Sequence, residues 1–325
     1  MLRNWKVWLG IVISLIALYL IFKDVNFQAL GQSLATAQLI WFVPGTLAFF
    51  ATIGLRGWRW SVLLDNTPFW PTMHAYNIGY MMNMLIPLRA GEVGKAYALS
   101  QRTSITMTRA LSSIVVERFL DLSAVLIMFA GFAQIVPMPP QFVTAATIGG
   151  VLILLMVLVF GFVLWQSARV ETLIKTICRY IPKLNSDMLI ARFRDIRASF
   201  ALISTPSKLF FAILLTIGVW ATSIMVMYFL MGAFMPTAWV QAGFVSTTTN
   251  LGGALPSAPG GLGVVQMFAT QSLVIPFGID SNVAVAFAFV SVIYQEILLI
   301  IFGFIGLARM GLQFSNINRK QGAQI

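Results

Sequence analysis

Cysteine, histidine and charged side chains are all scarce in this sequence. Among 325 residues there is one cysteine, Cys178, and one histidine, His74, and Asp, Glu, Lys and Arg together make up 10% of the chain. A single cysteine excludes a disulfide framework and a cysteine-ligated metal cluster, and a single histidine excludes a site built from several histidines. We therefore expect no metal ion and no other cofactor.

Motifs of nucleotide-dependent enzymes and of hydrolases are missing as well. The sequence contains no P-loop, which argues against an ATP-driven pump, and the glycine-rich run 260–263 is not preceded by the strand of a dinucleotide-binding unit. No serine or acid motif marks His74 as part of a catalytic triad. On these grounds we assign no catalytic residue.

Apolar sequence, in contrast, is abundant and continues without interruption over long distances. Hydrophobic residues make up 59% of the chain, and neither 122–168 nor 209–279 contains a single Lys, Arg, Asp or Glu. A membrane span needs roughly 20 apolar residues, and an ionised side chain at the bilayer centre costs several kcal/mol. These runs predict an all-α integral membrane protein that crosses the bilayer several times.

Six of the apolar segments have the length and composition of full spans. They are 7–22, 39–55, 113–136, 142–165, 209–231 and 283–307. Two further apolar stretches, 73–99 and 239–277, are broken by glycine and proline at 87–94 and 256–263. We interpret them as re-entrant hairpins, each of which enters and leaves the bilayer on one face. The alternative is that they cross it completely.

The net charge of +11 favours the re-entrant arrangement. Lys and Arg of short loops collect on the cytoplasmic side of a membrane. With two re-entrant hairpins, the N-terminus, the segments around Arg56 and Arg102, the region 166–208 and the C-terminal tail are all cytoplasmic. The first hairpin then enters from the cytoplasm and the second from the outer face, and we expect the membrane to be the cytoplasmic (inner) membrane of a bacterium. This topology and anionic headgroups explain the basic residues, so nucleic acid is not an expected partner.

The two breaks share the spacing P-x3-G-x2-G, at 87–94 and at 256–263. Paired breaks that enter from opposite faces are typical of inverted repeats, whose interrupted helices form a binding site near the middle of the bilayer. We predict a single transmembrane domain whose halves, 1–165 and 209–325, are such repeats, unless glycine and proline only form tight turns. The basic segment 166–208 between them is interpreted as amphipathic helices on the cytoplasmic headgroups or as a solvated linker.

Charged residues at the first break are candidate ligands. Arg89, Glu92 and Lys95 are three residues apart and share a face if the returning half is helical. Arg and Lys suit a phosphate or carboxylate, and a helix N-terminus adds N–H groups aimed at the same anion. The alternative is an internal ion-pair chain that only holds the turn.

A second group of charges lies in the third predicted span. Glu117 and Asp121 are four residues apart on one helix face and repel each other unless a cation lies near them. Arg118 can reach Asp121, and Arg89 or Lys95 are further partners. The group is either a structural ion network or part of a headgroup site.

Glu296 is the only charged residue of the last predicted span and lies near its middle. A carboxyl group there is neutral, paired with a basic residue of the other half, or a carrier of protons. The second hairpin has no charge, but Asn250, the threonines at 247–249 and the backbone of Gly260 and Gly261 offer hydrogen bonds to a polar headgroup.

Three segments, taken in order, resemble a known family. They are PLRAGE at 87–92, VERFLD at 116–121 and PSAPGGLG at 256–263. The chain resembles, over nearly its whole length, the flippase-like family typified by the transmembrane region of lysylphosphatidylglycerol synthase. The resemblance implies that the protein moves a lipid between leaflets. In bifunctional members a separate soluble domain makes the aminoacylated lipid; nothing after Leu307 is long enough to be that domain, so we do not expect synthase activity.

The resemblance leaves the lipid open. Family relatives also occur beside polyprenyl-linked glycan pathways, so the expected partner is a membrane phospholipid or a polyprenyl-linked lipid, with a separate lipid-modifying enzyme as a further partner. The leading hypothesis is a lipid translocase or lipid-binding transporter for an anionic headgroup. The alternatives are a membrane-embedded transferase that uses Glu92, Glu117 or Asp121 as general base, and an accessory protein that recruits enzymes through 166–208.

Overall fold

The computed structural model describes residues 26–85, 91–137, 167–180, 205–254 and 259–312, with 16, 19, 186–190, 193–194 and scattered positions between 140 and 158. Most of the predicted spans 7–22 and 142–165 lies outside these residues, as does the apex of each hairpin. Within the described residues the secondary structure is helical, with no strand. The prediction of an all-α protein is confirmed.

Ten α-helices are bounded within the described residues. They are α1 (Phe27–Ala35), α2 (Phe42–Leu63), α3 (Phe69–Leu85), α4 (Gly91–Ser100), α5 (Met107–Phe132), α6 (Ser167–Tyr180), α7 (Pro206–Gly232), α8 (Trp239–Ala254), α9 (Val264–Phe277) and α10 (Ser281–Arg309). Short 3-10 turns, Leu39–Trp41 and Pro259–Gly261, precede α2 and α9. This order is a succession of long helices interrupted by shorter helix pairs.

Side chains that accept hydrogen bonds from backbone N–H groups mark where several helices begin. Asn26 accepts from two N–H groups at the start of α1, Thr106 accepts from Arg109 at the start of α5, and Asp280 accepts from two N–H groups at the start of α10. These side chains satisfy N–H groups that have no partner inside the helix. The local sequence therefore determines these helix starts.

Three stretches in the described part of the chain are long and apolar enough to cross a membrane: Leu39–Leu63, Pro206–Gly232 and Ser281–Arg309. They confirm that the protein is an integral membrane protein and correspond to the predicted spans 39–55, 209–231 and 283–307. The first continues to Leu63, because Arg56 and Arg59 lie inside the helix and not in a loop after it. The predicted span 113–136 corresponds to α5, which begins earlier, at Met107.

The first interrupted segment folds back on itself as an antiparallel helix pair, α3 and α4. The backbone N–H of Gly91 donates to Asn83 Oδ1 at 2.8 Å. Further from the apex, a Cβ built on Gly79 would lie 2.8 Å from Lys95 Cβ. The absence of a side chain at Gly79 and Gly91 therefore lets the two helices approach closely.

The second interrupted segment forms an equivalent pair, α8 and α9. A Cβ on Gly252 would lie 2.6 Å from the ring of Phe268, and one on Gly253 would lie 3.9 Å from Val265. As the residue number rises along α8 it falls along α9, so this pair is also antiparallel. We call the α3–α4 pair the first hairpin and the α8–α9 pair the second hairpin.

The open end of the first hairpin, where its two helices connect to the rest of the chain, lies at the end of the helix bundle that is rich in basic residues. Arg102, just after α4, donates to the carbonyl oxygen of Met310 at the end of α10. Asp65, between α2 and α3, forms an ion pair with Lys208 at the start of α7. The described segments around Arg102, Lys208 and Met310, which were predicted to lie on one face, therefore lie at one end of the bundle, which we call the basic end.

The second hairpin opens at the opposite end of the bundle. The N–H of Gln38, before α2, donates to the carbonyl of Ala233, after α7, at 2.8 Å, and the N–H of Asn26 donates to Asn282 at the start of α10 at 3.0 Å. The two hairpins thus enter the bundle from opposite ends, as the charge distribution predicted. Which end faces the cytoplasm stays a prediction.

The helix order from α2 to α5 recurs from α7 to α10 in the reverse direction. Each set is a long helix, a hairpin and a second long helix; α2 packs along α7, where Thr52 bonds Thr222 at 2.8 Å, and α3 packs along α10. This arrangement has the form of the predicted inverted repeat. The break motifs differ in conformation, because Gly260 and Gly263 have φ of 72° and 85° whereas Gly91 begins a regular helix.

Large apolar side chains cover the outside of the bundle as well as its core. Along α10, Ile297, Ile301 and Phe304 are exposed, while Leu299 and Gly303 are buried against the bundle. An apolar outer surface of this kind is unstable in water but is compatible with a lipid environment, in which apolar contact carries no penalty.

Candidate functional site

Charged and tyrosine side chains fill the space between α2, α3, α4 and α5. The set, which we call the ion cluster, consists of Arg56, Arg59, Tyr76, Tyr80, Glu92, Lys95, Glu117, Arg118 and Asp121. It holds four cationic groups and three carboxylates, so its formal charge is 4 − 3 = +1. The structure therefore brings five of the predicted site residues into one place.

Arg59 lies at the centre of the ion cluster. Its Nη1 and Nη2 contact the two oxygens of Asp121 at 2.6 and 3.0 Å, its Nη2 also contacts Glu117 Oε1 at 3.2 Å, and its Nη1 donates to Thr216 on α7 at 3.1 Å. The side chains of Arg59 and Glu117 are fully buried. Arg59 is thus the cation that allows Glu117 and Asp121 to lie one helical turn apart.

Lys95 supplies the second buried cation. Its Nζ lies 2.8 Å from Glu117 Oε2, and 4.3 and 4.9 Å from the ring centres of Tyr76 and Trp60. The Tyr76 hydroxyl donates to Glu117 as well. Both oxygens of Glu117 are therefore occupied by donors from the protein itself.

Arg118 and Arg56 form the outer part of the ion cluster. Arg118 pairs with Glu92 and lies 3.8 Å from Asp121, and its side chain is 44% exposed. Arg56 donates to the Tyr80 hydroxyl at 2.7 Å and lies 4.0 Å from Asp121. These two guanidinium groups are less fully matched by carboxylates than Arg59, so they are where an added anion would find N–H donors.

The end of α3 in the first hairpin and the turn Pro259–Gly261 in the second lie together beside Glu296 of α10. A Cβ on Gly260 would lie 2.7 Å from Glu296 Oε1 and 3.1 Å from Sδ of Met84 at the end of α3. Glu296 Oε1 is buried, with no hydrogen-bond partner in the part of the chain that the structure describes. Gly260 therefore must be glycine for two reasons, its left-handed φ of 72° and the close approach of the carboxyl group.

The remaining predicted site residues are placed less favourably. Arg89 lies outside the described residues. Asn250 is exposed on α8, and its amide donates to the carbonyl of Ser246 at 2.8 Å. The hydroxyls of Thr247, Thr248 and Thr249 each donate to a carbonyl one turn earlier in the same helix. Gly261 adjoins Gly260 and has φ of 76°.

Sequence reasoning missed Arg56, Arg59, Tyr76 and Tyr80. The two arginines were assigned to a cytoplasmic segment because they follow the charge-free predicted span 39–55. A usable signal was present, since Arg56 and Arg59 are three residues apart and apolar sequence continues beyond them to Leu64. Two carboxylates one turn apart in α5 also require a buried cation from elsewhere.

The pattern of the whole chain matches a known family. A sequence model described as the lysylphosphatidylglycerol synthase transmembrane region matches residues 7–303. No curated protein and no solved structure gave a significant match.

Proposed function

The chain belongs to the lysylphosphatidylglycerol synthase transmembrane-region family, which suggests a function related to membrane lipids. We propose that it binds a phosphate-bearing lipid headgroup and moves that lipid between leaflets. The headgroup site is the outer part of the ion cluster, at Arg118 and Arg56. We place the protein in the cytoplasmic membrane of a bacterium, with the basic end in the cytoplasm.

The excess of cationic groups is the observation that carries this proposal. Four cations against three carboxylates leave one positive charge uncompensated inside a membrane protein, where an unmatched charge is costly. A lipid phosphate would neutralise it. Arg118 is suited to the contact because its side chain is 44% exposed and its planar fork can bind two phosphate oxygens at once.

The arrangement of the hairpins supports translocation rather than binding alone. They enter from opposite ends, and their tips meet at Met84 and Gly260. Interrupted helices that meet inside a bundle are typical of transporters, in which one half moves against the other around a central site. A headgroup held beside the first hairpin can then become accessible from either end in turn.

A transferase reaction is supported less well. Glu117 was one candidate general base, but Arg59, Lys95 and Tyr76 occupy its carboxylate oxygens. Asp121 is held by both Nη atoms of Arg59. A general base needs a free lone pair within reach of the substrate proton, so neither carboxylate is placed for that role. Glu92, the third candidate, is ion-paired with Lys95 and Arg118.

The test measures lipid binding and thermal stability on the same purified samples. Arg118→Gln should weaken binding of phosphatidylglycerol, presented in phosphatidylcholine vesicles, by about 10- to 100-fold, the loss expected for a charge-assisted contact of about 1.5–3 kcal/mol. Its melting temperature should stay near the wild-type value, because the side chain is partly exposed. Arg118→Lys should recover only part of the affinity, since an ammonium lacks the planar fork.

Arg194→Gln is the matched control. Arg194 also forms a two-contact pair with a carboxylate, Glu171, at 2.8 and 2.9 Å, but it lies outside the ion cluster. Its substitution should lower lipid affinity by no more than about fivefold, the contribution of one basic residue near an anionic surface. If Arg118→Gln lowers stability and the remaining folded protein binds lipid as tightly as wild type, the headgroup site is elsewhere. In liposomes, movement of an unmodified labelled lipid supports the translocase, and a covalently altered lipid supports the transferase.

A further inference from the structure

Glu296 lies about halfway along α10, where the tip of the second hairpin packs against that helix. Its Oε1 would be 2.7 Å from a Cβ on Gly260, and Met84 of the first hairpin completes the contact. Oε1 is inaccessible to solvent and has no hydrogen-bond partner among the described residues. One oxygen of the half-buried Glu296 carboxyl group is thus buried against the second hairpin.

The described side chains around Glu296 do not provide a counter-charge. Of the elements that pack on α10, α1 and α9 contain no ionisable residue, and neither does the 3-10 turn at Gly260. The other elements that contact α10 include α2, whose Arg56 and Arg59 face Asp121 of α5. The remaining ionisable residues are His74, Tyr76 and Tyr80 on α3, Lys208 and Tyr228 on α7, and Tyr294 and Arg309 on α10 itself.

None of the cations among these residues faces the carboxyl group. His74 packs against Gly306, about 15 Å along α10 from Glu296, and Arg309 is further still towards the basic end. Lys208 is paired with Asp65 at that end, and Tyr76 donates to Glu117. Tyr294, on the same helix, contacts Thr46.

A carboxyl group that buries an oxygen, with no counter-charge among the described side chains, is more stable in its neutral form. Burying an unpaired carboxylate costs several kcal/mol, whereas the protonated carboxyl group carries no net charge. Loss of the proton would make the contact with Gly260 unfavourable, and water could solvate the carboxylate only if the hairpin tip moved away. Protonation and the position of the tip are therefore linked.

We propose that Glu296 is a proton-binding switch that holds the 3-10 turn Pro259–Gly261 of the second hairpin against α10 when protonated and releases it when deprotonated. On release the O–H bond of the carboxyl group breaks and the proton passes to water; on closure one proton is taken up again. The inference rests on the proposed function in one respect, because moving the tip is the step that would change access to the headgroup site and so couple lipid movement to protons.

The first experiment follows the contact itself and needs no lipid transport. Met84→Cys in a Cys178→Ser background places a thiol at the contact, and a water-soluble maleimide reports its accessibility. Labelling is measured from about pH 5 to about pH 9, the range over which carboxyl groups without a counter-charge titrate. The same variant with Glu296→Gln is the control, since it has the same thiol chemistry but cannot lose a proton.

With Glu296 present, labelling should rise about tenfold more across this range than it does with Gln, because only a deprotonated carboxyl group disfavours the closed contact. Glu296→Asp should retain a pH-dependent rise, since it keeps a titratable group. If labelling of the Glu296→Gln control rises with pH as much as labelling of the parent variant does, the proposal is overturned.

The second experiment tests the coupling in liposomes with an imposed pH difference. The wild-type rate of labelled phosphatidylglycerol movement should change when the gradient is reversed, and Glu296→Gln should lose that response. A response that survives in Glu296→Gln contradicts the switch. Absence of any lipid movement in wild type would instead count against the proposed function, and the thiol measurement would still decide whether the switch exists.

Discussion

The two hairpins have the same backbone arrangement and opposite chemistry. The first contributes Glu92 and Lys95 to an ion cluster, whereas residues 239–277, which form the second, contain no Lys, Arg, Asp or Glu. The first hairpin is held by buried charge pairs and the second by glycine and aromatic packing. This difference is the basis of the two roles proposed above, anion binding beside the first hairpin and a proton-dependent contact at the second.

The packing around each hairpin agrees with that division. Behind the second hairpin, Phe244 packs edge-on to Phe142 and Phe132, and Phe142 also contacts Phe268. Apolar contacts of this kind can slide or separate without leaving a charge unpaired. Around the first hairpin, any separation would break the pairs of Lys95 and Glu92 with α5, so the first hairpin is expected to stay with α5 while the second moves.

Arg59→Met should have the largest effect on stability. It removes the cation that holds Asp121 and Glu117 and leaves two buried carboxylates one turn apart, at a cost of about 3–5 kcal/mol. Denaturant unfolding in detergent micelles measures the loss. Arg59→Met with Asp121→Asn should recover part of it. A loss no greater than that caused by Glu296→Gln would show that the charge pairs do not hold the first hairpin.

Gly91→Ala and Gly260→Ala compare the two tips directly. A Cβ at Gly91 would overlap the backbone oxygen of Gly79, which cannot move without opening the hairpin. We therefore expect Gly91→Ala to lower the free energy of unfolding by about 3 kcal/mol. A Cβ at Gly260 meets the ends of two side chains, those of Glu296 and Met84, which can shift, and the left-handed φ adds about 1–2 kcal/mol. Thermal unfolding should show a larger loss for Gly91→Ala than for Gly260→Ala. Glu296→Ala should partly rescue Gly260→Ala and should not rescue Gly91→Ala.

Buried hydroxyl groups provide a smaller contrast. Thr248→Val removes only hydrogen bonds within α8, at about 1 kcal/mol, and should leave lipid affinity unchanged. Ser113→Ala beside the first hairpin leaves the buried Trp60 Nε1–H without its acceptor at 2.9 Å, which costs about 1–3 kcal/mol. The two melting temperatures check the order. If Thr248→Val binds lipid more weakly than wild type, the threonines at 247–249 belong to the headgroup site.

Asp65→Asn should have the smallest effect. The Lys208 ammonium holds the pKa of Asp65 below its usual value, and the side chain is 49% exposed. A lowered folded-state pKa stabilises the protein above the unfolded-state pKa, and that gain disappears as pH falls through the folded-state pKa. The loss at neutral pH should be below about 1 kcal/mol, should shrink in high salt, and should vanish in acid. Unfolding curves at several pH values test this.

Much of the fold followed from local sequence. Long apolar runs predicted the spans later seen as α2, α7 and α10, and paired Gly/Pro breaks with the asymmetry of basic residues predicted two hairpins from opposite ends. These signals are local or additive along the chain: hydropathy is a property of a segment, and a break is set by the backbone freedom of glycine and proline. The same reasoning identified five members of the ion cluster.

The pairing inside the site could not be obtained in this way. The sequence placed Glu117 and Asp121 one turn apart and so required a cation, but it did not say that Arg59, on another helix, would be that cation, because partner choice depends on how α2 packs on α5. The contact between Glu296 and Gly260 could not be predicted either, because residues 36 positions apart in the sequence meet only when the second hairpin packs against α10. Local propensity and hydropathy determined which segments are helices and which enter the membrane. Tertiary packing alone decided which charges are matched, which guanidinium is left partly exposed, and which carboxyl group is enclosed.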